Sequence, residues 1–402
     1  MKTSLAGELS LGEYRVEDSD LLTPALVIYP ELVRHNIERM ISLLGEQPSH
    51  WRPHLKTVKL GSMTRLLTEA NVRSAKCATT LELRMACESG MEDVLVAYPH
   101  TGATAKRIST IAEAFPEVRI SIIVESKEQI EDWINTRVDL FIDLNTGMDR
   151  TGIQHDEVGN ISDLASRIQA AGLTFRGLHF YDGHANEQDL AERTKKAHKR
   201  YDDLLGIVDE LEGAGIRVEE VITSGTPGLP CAVVYPSLWR SSFTHQVSPG
   251  TVVYNDASSL EQLPEAYGFR LAALVISQVV SHPKPKIATC DAGHKSVSVD
   301  SGVPNCLVLG RPELKPLKPS EEHLPMESVD GSGVPELGSM LYLLPRHVCP
   351  TVNNFDRAAI VRQGRIVAVE PVTARGREGP LAPEKDGKVV ASKLAAEALP
   401  SI

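Results

Sequence analysis

Trp51-Arg52-Pro53-His54-Leu55-Lys56-Thr57-Val58-Lys59 is the stretch on which the reading of this chain turns. It closes a strand candidate, His50 to Lys56, with a lysine. A lysine at the C-terminal end of a barrel strand can be partly desolvated and held as a free amine that condenses with an aldehyde. Taken alone, Lys56 and Lys59 read equally well as solvated loop charges, since most lysines lie at the surface. The surrounding sequence decides between the two.

On both sides of that stretch, β-rich runs alternate with helical ones from about residue 23 to about residue 255. Ala25 to Tyr29 reads as the first strand, and Leu32 to Leu44 follows with apolar residues at helical spacing. The remaining strand candidates are Ala75 to Thr79, Asp93 to Tyr98, Arg119 to Glu125, Asp139 to Asn145, Thr174 to Tyr181 and Glu219 to Ser224. Helical stretches such as Thr80 to Ser89, Gly102 to Ala114 and Asp189 to Glu212 separate most of them. Eight strands with intervening helices predict an α/β protein built on a closed parallel (β/α)8 barrel of the TIM type. The rival is a doubly wound sheet, but no Gly-x-Gly-x-x-Gly turn follows the first strand.

From about Tyr267 the sequence reads as strands without helices: Leu271 to Ser281, Lys286 to Cys290, Ser296 to Asp300, Met340 to Leu344, Ala358 to Val361 and Arg365 to Val369. Gly310 to Gly338 reads as a partly irregular insertion. The expected division is an N-terminal segment over 1–20 that pairs with the β domain and a barrel over 21–260. A mostly antiparallel C-terminal β domain follows over 265–377, then a polar tail over 378–402 with a short helix near Ala391 to Leu399.

The bulk numbers exclude several classes. A chain of 402 residues is too long for one simple core. The net charge of −11 comes without a long basic run, so no nucleic-acid partner is expected. No apolar stretch reaches membrane-spanning length, and Met1 to Glu8 lacks a signal-peptide core. The six cysteines (Cys77, Cys87, Cys231, Cys290, Cys306, Cys349) are scattered, which suits reduced thiols in a cytoplasm.

Functional groups of a barrel gather at the C-terminal ends of its strands. Asp143 to Gly152, Gly177 to His184 and Thr223 to Gly228 are the polar, glycine-rich sequences there. The turn Ser224-Gly225-Thr226-Pro227-Gly228 suits a phosphate, because backbone N–H groups and hydroxyls can surround an anion. An amine at Lys56 and a phosphate cradle on one face describe a pyridoxal 5′-phosphate site. Downstream, His347 and Cys349 stand two residues apart and would share one side of an extended strand. An imidazole and a thiolate together can ligate a divalent ion, the thiolate favouring zinc. The plainer alternative is a half-buried histidine beside a core cysteine. Glu321-Glu322-His323 is a further polar cluster that reads plainly as a solvated charge run.

These pieces resemble the D-threonine aldolase and D-serine dehydratase family, pyridoxal-phosphate enzymes with an alanine-racemase-like (fold-type III) barrel and a C-terminal β domain. The likeness spans about residues 20 to 377. It is carried by Thr23 to Leu26, Arg52 to Lys59, Gly147 to Gly152, Gly177 to His184, Ser320 to His323 and His347 to Asn353. Two positions depart from the family's usual pattern: Val58 stands where a histidine is common, and the phosphate turn is poorer in glycine.

The resemblance implies that Lys56 is the Schiff-base lysine and that His347 and Cys349 hold one divalent metal (Zn²⁺, Mn²⁺ or Mg²⁺). It places Arg150 and Tyr181 near the cofactor ring and Ser224, Gly225, Thr226 and Gly228 near its phosphate. The implied substrate is a small β-hydroxy D-amino acid, and the implied state is a homodimer. The implied reaction is retro-aldol cleavage to glycine and an aldehyde, with Lys56 and His347 as catalytic groups. Dehydration of D-serine or D-3-hydroxyaspartate to a keto acid and ammonia is the alternative. A racemase, or a non-catalytic pyridoxal-phosphate-binding protein, fits less well: neither explains the His-x-Cys pair, and the latter lacks a β domain.

Overall fold

The computed structural model describes residues 10–17, 20–185, 187–239 and 242–380. The expected tail helix near Ala391 to Leu399 lies outside these residues.

Strand β1 (Ala25–Ile28) is followed by a helix over Pro30–Leu43. Pro30 occupies the first helical turn, where its missing N–H is not needed. Leu32, Val33, Asn36, Ile37 and Met40 form the buried face. Asn36 is the polar member. Its amide donates to the Val253 and Arg270 carbonyls and its Oδ1 accepts from Arg270 N, which ties this helix to the segment leaving the barrel.

The parallel sheet runs through β2 (Ser74–Cys77), β3 (Asp93–Val96), β4 (Arg119–Val124), β5 (Asp139–Asn145), a two-residue β6 (Ile153–Gln154) on β5, β7 (Phe175–Phe180), β8 (Glu220–Thr223) and β9 (Thr244–Val247). Trp51 bridges Val247 on one edge and His54 bridges Lys76 on the other. Arg52 N donates to Val247 O, Lys76 N to Pro53 O, and Leu55 N to Lys76 O. The segment Trp51–His54 therefore supplies the eighth stave and closes the barrel.

The eight staves differ from the expected eight at two places. β1 is not one of them: it pairs antiparallel with β10 (Ala273–Lys284) and belongs to the other sheet. β9, whose residues Thr-His-Gln-Val show no apolar alternation, takes the vacant position between β8 and Trp51. His245 and Gln246 are buried and each finds a polar neighbour. Gln246 accepts from Arg52 Nε, and His245 Nε2 lies 2.8 Å from the Thr223 hydroxyl. Burial, helped by His50, lowers the His245 pKa to about 3, so its ring is neutral.

The second sheet continues with β11 (Ile287–Cys290), β12 (Cys306–Val308), β13 (Leu314–Pro316), β14 (Leu324–Ser328), β15 (Met340–Pro345), β16 (Arg357–Arg362) and β17 (Arg365–Pro371). Its order is β13-β14-β11-β10-β1-β16-β17, with β15 on β10 and β12 on β15. The pairings are antiparallel except that of β1 with β16. Three expectations are corrected here. Ser296 to Asp300 forms no strand, the 310–338 stretch contains the β13–β14 hairpin, and a short helix, Val348–Asn353, interrupts the strands. Pro350 in that helix's first turn needs no N–H partner, so the helix tolerates it. From the N-terminal segment, Val16 N donates to Tyr342 Oη and Glu17 N to Gly364 O, both in the β domain.

At the N-terminal ends of the staves lies a buried ion quartet. Arg52 and Arg176, both 0% exposed, each bond Asp93 and Glu220. Burial alone would raise the Asp93 pKa, but Arg52 and Arg176 hold it well below the usual carboxylate range.

Candidate active site

The C-terminal ends of the staves converge on Tyr181, just past β7. Lys56 Nζ lies 5.9 Å from the centre of its ring, Lys76 Nζ 5.3 Å and Arg150 Cζ 5.4 Å. Glycines leave room for the ring. A Cβ on Gly183 would stand 2.2 Å from Tyr181 Oη, and one on Gly225 would stand 3.0 Å from Cε2. Lys56 leaves the closing stave in a turn whose backbone N–H donates to His54 Nδ1 at 3.2 Å. Burial first, then the Lys56 charge, lowers the His54 pKa, which keeps that nitrogen an acceptor.

Behind Tyr181 runs a chain of polar groups. Lys76 Nζ is 3.0 Å from His179 Nε2, His179 Nδ1 is 2.6 Å from Asp143 Oδ1, and Thr151 donates to Asp143 Oδ2 at 2.7 Å. Burial is the main cause that lowers the His179 pKa, with the Lys76 charge next. Burial, aided by Lys56, brings Lys76 down to about 7. Sequence reasoning passed over Lys76 as an ordinary strand residue, and gave His179 and Asp143 no role. The available signal was a lysine within an otherwise apolar strand.

The turn after β8 is held from behind. Ser224 has φ 59°, and its hydroxyl lies 3.1 Å from both Tyr201 Oη and Thr223 Oγ1. Gly225 N donates to Asp182 Oδ1, and Asp182 Oδ2 accepts from Tyr201. Gly228 backs onto the same carboxyl, 2.7 Å from where a Cβ would stand. Burial raises the Asp182 pKa, opposed by the hydrogen bond from Tyr201 and the charge of Arg200. The Thr226 and Ser248 hydroxyls are buried without hydrogen-bond partners, and Ser248 N donates to Ser224 O. An unpaired buried hydroxyl in the turn and a second one on the adjoining Ser248 fit a phosphate. Of the expected phosphate contacts, Ser224 Oγ and Gly225 N–H are already engaged, whereas Thr226 is open.

His347 and Cys349 do not share an extended strand. His347 is the extended residue that caps the Val348–Asn353 helix, and Cys349 lies in the helix's first turn. Their side chains still lie close enough for each to shift the other's titration. His347 Nδ1 is 2.6 Å from Asp300 Oδ2, which orients the ring. Burial opposes charge on both groups. Each nonetheless shifts the other toward its charged form: His347 is raised and Cys349 lowered. Cys349 Sγ is 2.9 Å from Thr57 Oγ1, the residue after Lys56. Asp256 fixes this approach. It caps the helix Ala257–Gln262 through Ser259 N and also accepts from Val348 N. No group of three or more His, Cys, Asp or Glu that could hold a metal ion occurs among the described residues, so the pair offers two protein donors. Glu321 and Glu322 are exposed and paired with Lys295.

A parallel barrel with an amine and an anion-suited turn at one mouth, capped by an antiparallel β domain, defines the alanine-racemase-like class. The family model for the alanine racemase N-terminal domain matches residues 28–258, more than half of the chain, and that for a putative serine dehydratase domain matches residues 272–361. The chain belongs to this family, in its D-threonine aldolase and D-serine dehydratase branch. It is 28% identical over 379 residues to a 3-hydroxy-D-aspartate aldolase of Paracoccus denitrificans (strain Pd 1222), covering 90% of this chain and 94% of the relative. It is 24% identical over 370 residues to a D-threo-3-hydroxyaspartate dehydratase of Delftia sp. (strain HT23), covering 83% and 92%. The crystal structure of D-threonine aldolase from Filomicrobium marinum superimposes with a TM-score of 0.81 at 25% identity, covering 90% of this chain and 98% of that one.

Proposed function

We propose that this protein is a pyridoxal-phosphate- and divalent-metal-dependent lyase that cleaves β-hydroxy D-amino acids to glycine and an aldehyde. The observation that carries the reading is the 2.9 Å contact between Thr57 Oγ1 and Cys349 Sγ. It sets a metal-suited pair against the residue that follows the candidate cofactor lysine, so one small substrate can reach both. Lys56 would hold the cofactor through its amine, Arg150 and Tyr181 would flank the ring, and Thr226, Ser248 and the Ser224–Gly228 turn would take the phosphate. When bound, the cofactor supplies an electron sink. His347 and Cys349 would hold one ion, zinc by the softness of the thiolate, whose chemistry is to polarise the substrate's β-hydroxyl. Asp300, 2.6 Å from His347 Nδ1, would hold the ring in place for that ion.

Dehydration to a keto acid and ammonia is the second reading. The thiolate at Cys349 favours it, since the resemblance assigns a cysteine here to the dehydratases and an aspartate more often to the aldolases. The surroundings of the pair, including Pro350 to Asn353, favour the aldolase. Incubation with D-threonine, D-serine and D-3-hydroxyaspartate, with separate assays for aldehyde, ammonia and keto acid, decides between them. Aldehyde without ammonia is expected. We further infer a homodimer, checked by light scattering, and a reducing cytoplasm, which the six buried free thiols suit.

A further inference from the structure

Lys76 is a second lysine at the mouth of the barrel, and the reaction as outlined gives it no task. It lies in β2 and is 1% exposed. A buried ammonium ordinarily has a carboxylate beside it, because an unpaired charge is costly to take out of water. Lys76 forms no ion pair among the described residues, and its Nζ lies 3.0 Å from His179 Nε2.

The other side of that imidazole is fixed. His179 Nδ1 is 2.6 Å from Asp143 Oδ1, so Nδ1 carries a proton and Nε2 faces Lys76. Either Nε2 accepts from the lysine, or the proton has crossed and Nε2–H donates to a free amine. One proton thus lies on the line between two nitrogens, and Asp143 stabilises the imidazolium when the histidine holds it. The tip of Lys76 is also over the Tyr181 ring, as Lys56 is. If Lys56 holds the cofactor, both amines flank the place where the reacting atoms lie.

We propose that the two lysines divide the work: Lys56 makes the covalent link, and Lys76 carries the proton that the reaction moves, backed by His179 and Asp143. The proposal rests on the lyase reading above. In retro-aldol cleavage the O–H bond of the β-hydroxyl and the Cα–Cβ bond break, and the aldehyde C=O bond forms. The Cα–Cβ electron pair stays with Cα, which then gains a C–H bond and becomes the α-carbon of glycine. One proton leaves oxygen and one arrives at carbon, so a single group that first accepts and then donates closes the balance.

The electrostatics agree. Burial lowers Lys76 to about 7, Lys56 and Arg52 push the same way, and Asp143 and Asp182 oppose them. Arg150 is the further charge that faces the histidine. A group poised near neutral pH suits acid–base work. A lysine present only for packing, or as a fixed charge, would be replaceable by methionine or arginine.

The test uses the full chain loaded with pyridoxal phosphate and labelled with [¹³Cε]lysine. The Lys76 resonance is assigned by its loss in Lys76→Arg. It is expected to titrate near pH 7 in the parent, and a resonance that stays an ammonium to pH 9 overturns the proposal. Lys76→Met should lower kcat by about 100-fold or more with KM little changed, while borohydride still fixes the cofactor to Lys56. Lys76→Arg keeps the charge and the donors but cannot release a proton, so it should be as slow as Lys76→Met. Recovery of kcat by arginine would show a purely electrostatic role and overturn the proposal. If Lys76→Met does not fold, the arginine variant and the parent titration still decide. A parent that cleaves no β-hydroxy D-amino acid counts against the lyase reading before any variant is made. A cleaving parent with an always-charged Lys76 counts against the shuttle alone.

Discussion

The two ends of the barrel hold similar charged residues in opposite states. At the N-terminal end, two arginines meet two carboxylates, and every charge is answered. At the C-terminal end, Lys56, Lys76 and Arg150 crowd one tyrosine ring, and two hydroxyls near the adjacent turn lack partners. The balanced end is finished by folding alone. The unbalanced end is a cationic socket suited to an anionic ligand. Substitutions at the first should therefore be felt in stability, and those at the second in binding and turnover.

The widest effect is expected from Lys56→Ala. Turnover should fall to background and borohydride should fix no cofactor there, while the urea midpoint of the apoprotein stays level or rises as a crowded cation is removed. A large loss of apoprotein stability would break the contrast. Asp93→Asn is the mirror experiment. It leaves Arg52 and Arg176 with one carboxylate between them and should cost about 3–5 kcal/mol in urea unfolding, with kcat little changed in folded protein.

Its pH dependence has a fixed sign. The Asp93 pKa is depressed on folding, so its contribution is present above the ordinary aspartate pKa of about 4 and drains away as pH falls below it. The asparagine variant should lose that part of the acid sensitivity.

Asp300→Asn should weaken metal affinity or turnover by about 10–100-fold, measured by metal content after dialysis, because it frees the His347 ring without removing a donor. The smallest effect sharpens the contrast furthest. Thr226→Val should weaken cofactor binding by about tenfold yet leave the apoprotein as stable or slightly more so, since an unpaired buried hydroxyl is replaced by a methyl.

Much of this was legible in the residues. Lys56 and the turn after β8 stand out because strand-helix alternation fixes where strand ends fall. β9 was not legible, because His245 and Gln246 are buried in hydrogen bonds and give no apolar alternation. β1 was read as a barrel stave, since a short apolar run suits either sheet and only the pairing with β10 and β16 decides. The His-Cys pair was identified on a false geometry: the two side chains meet across a helix cap and not along a strand. Asp300 and Asp256, which orient that pair, lie far from it in sequence and carry no local signal.

The placement of β1 has a consequence for synthesis. It leaves the ribosome before the barrel, yet its partners, β10 and β16, come after the whole barrel. Leu26, Val27 and Ile28, each at most 1% exposed in the finished molecule, wait with open edges until then. A nascent chain stopped at the end of the barrel is therefore not a smaller stable protein but a sticky one, and the burden on chaperones falls on β1.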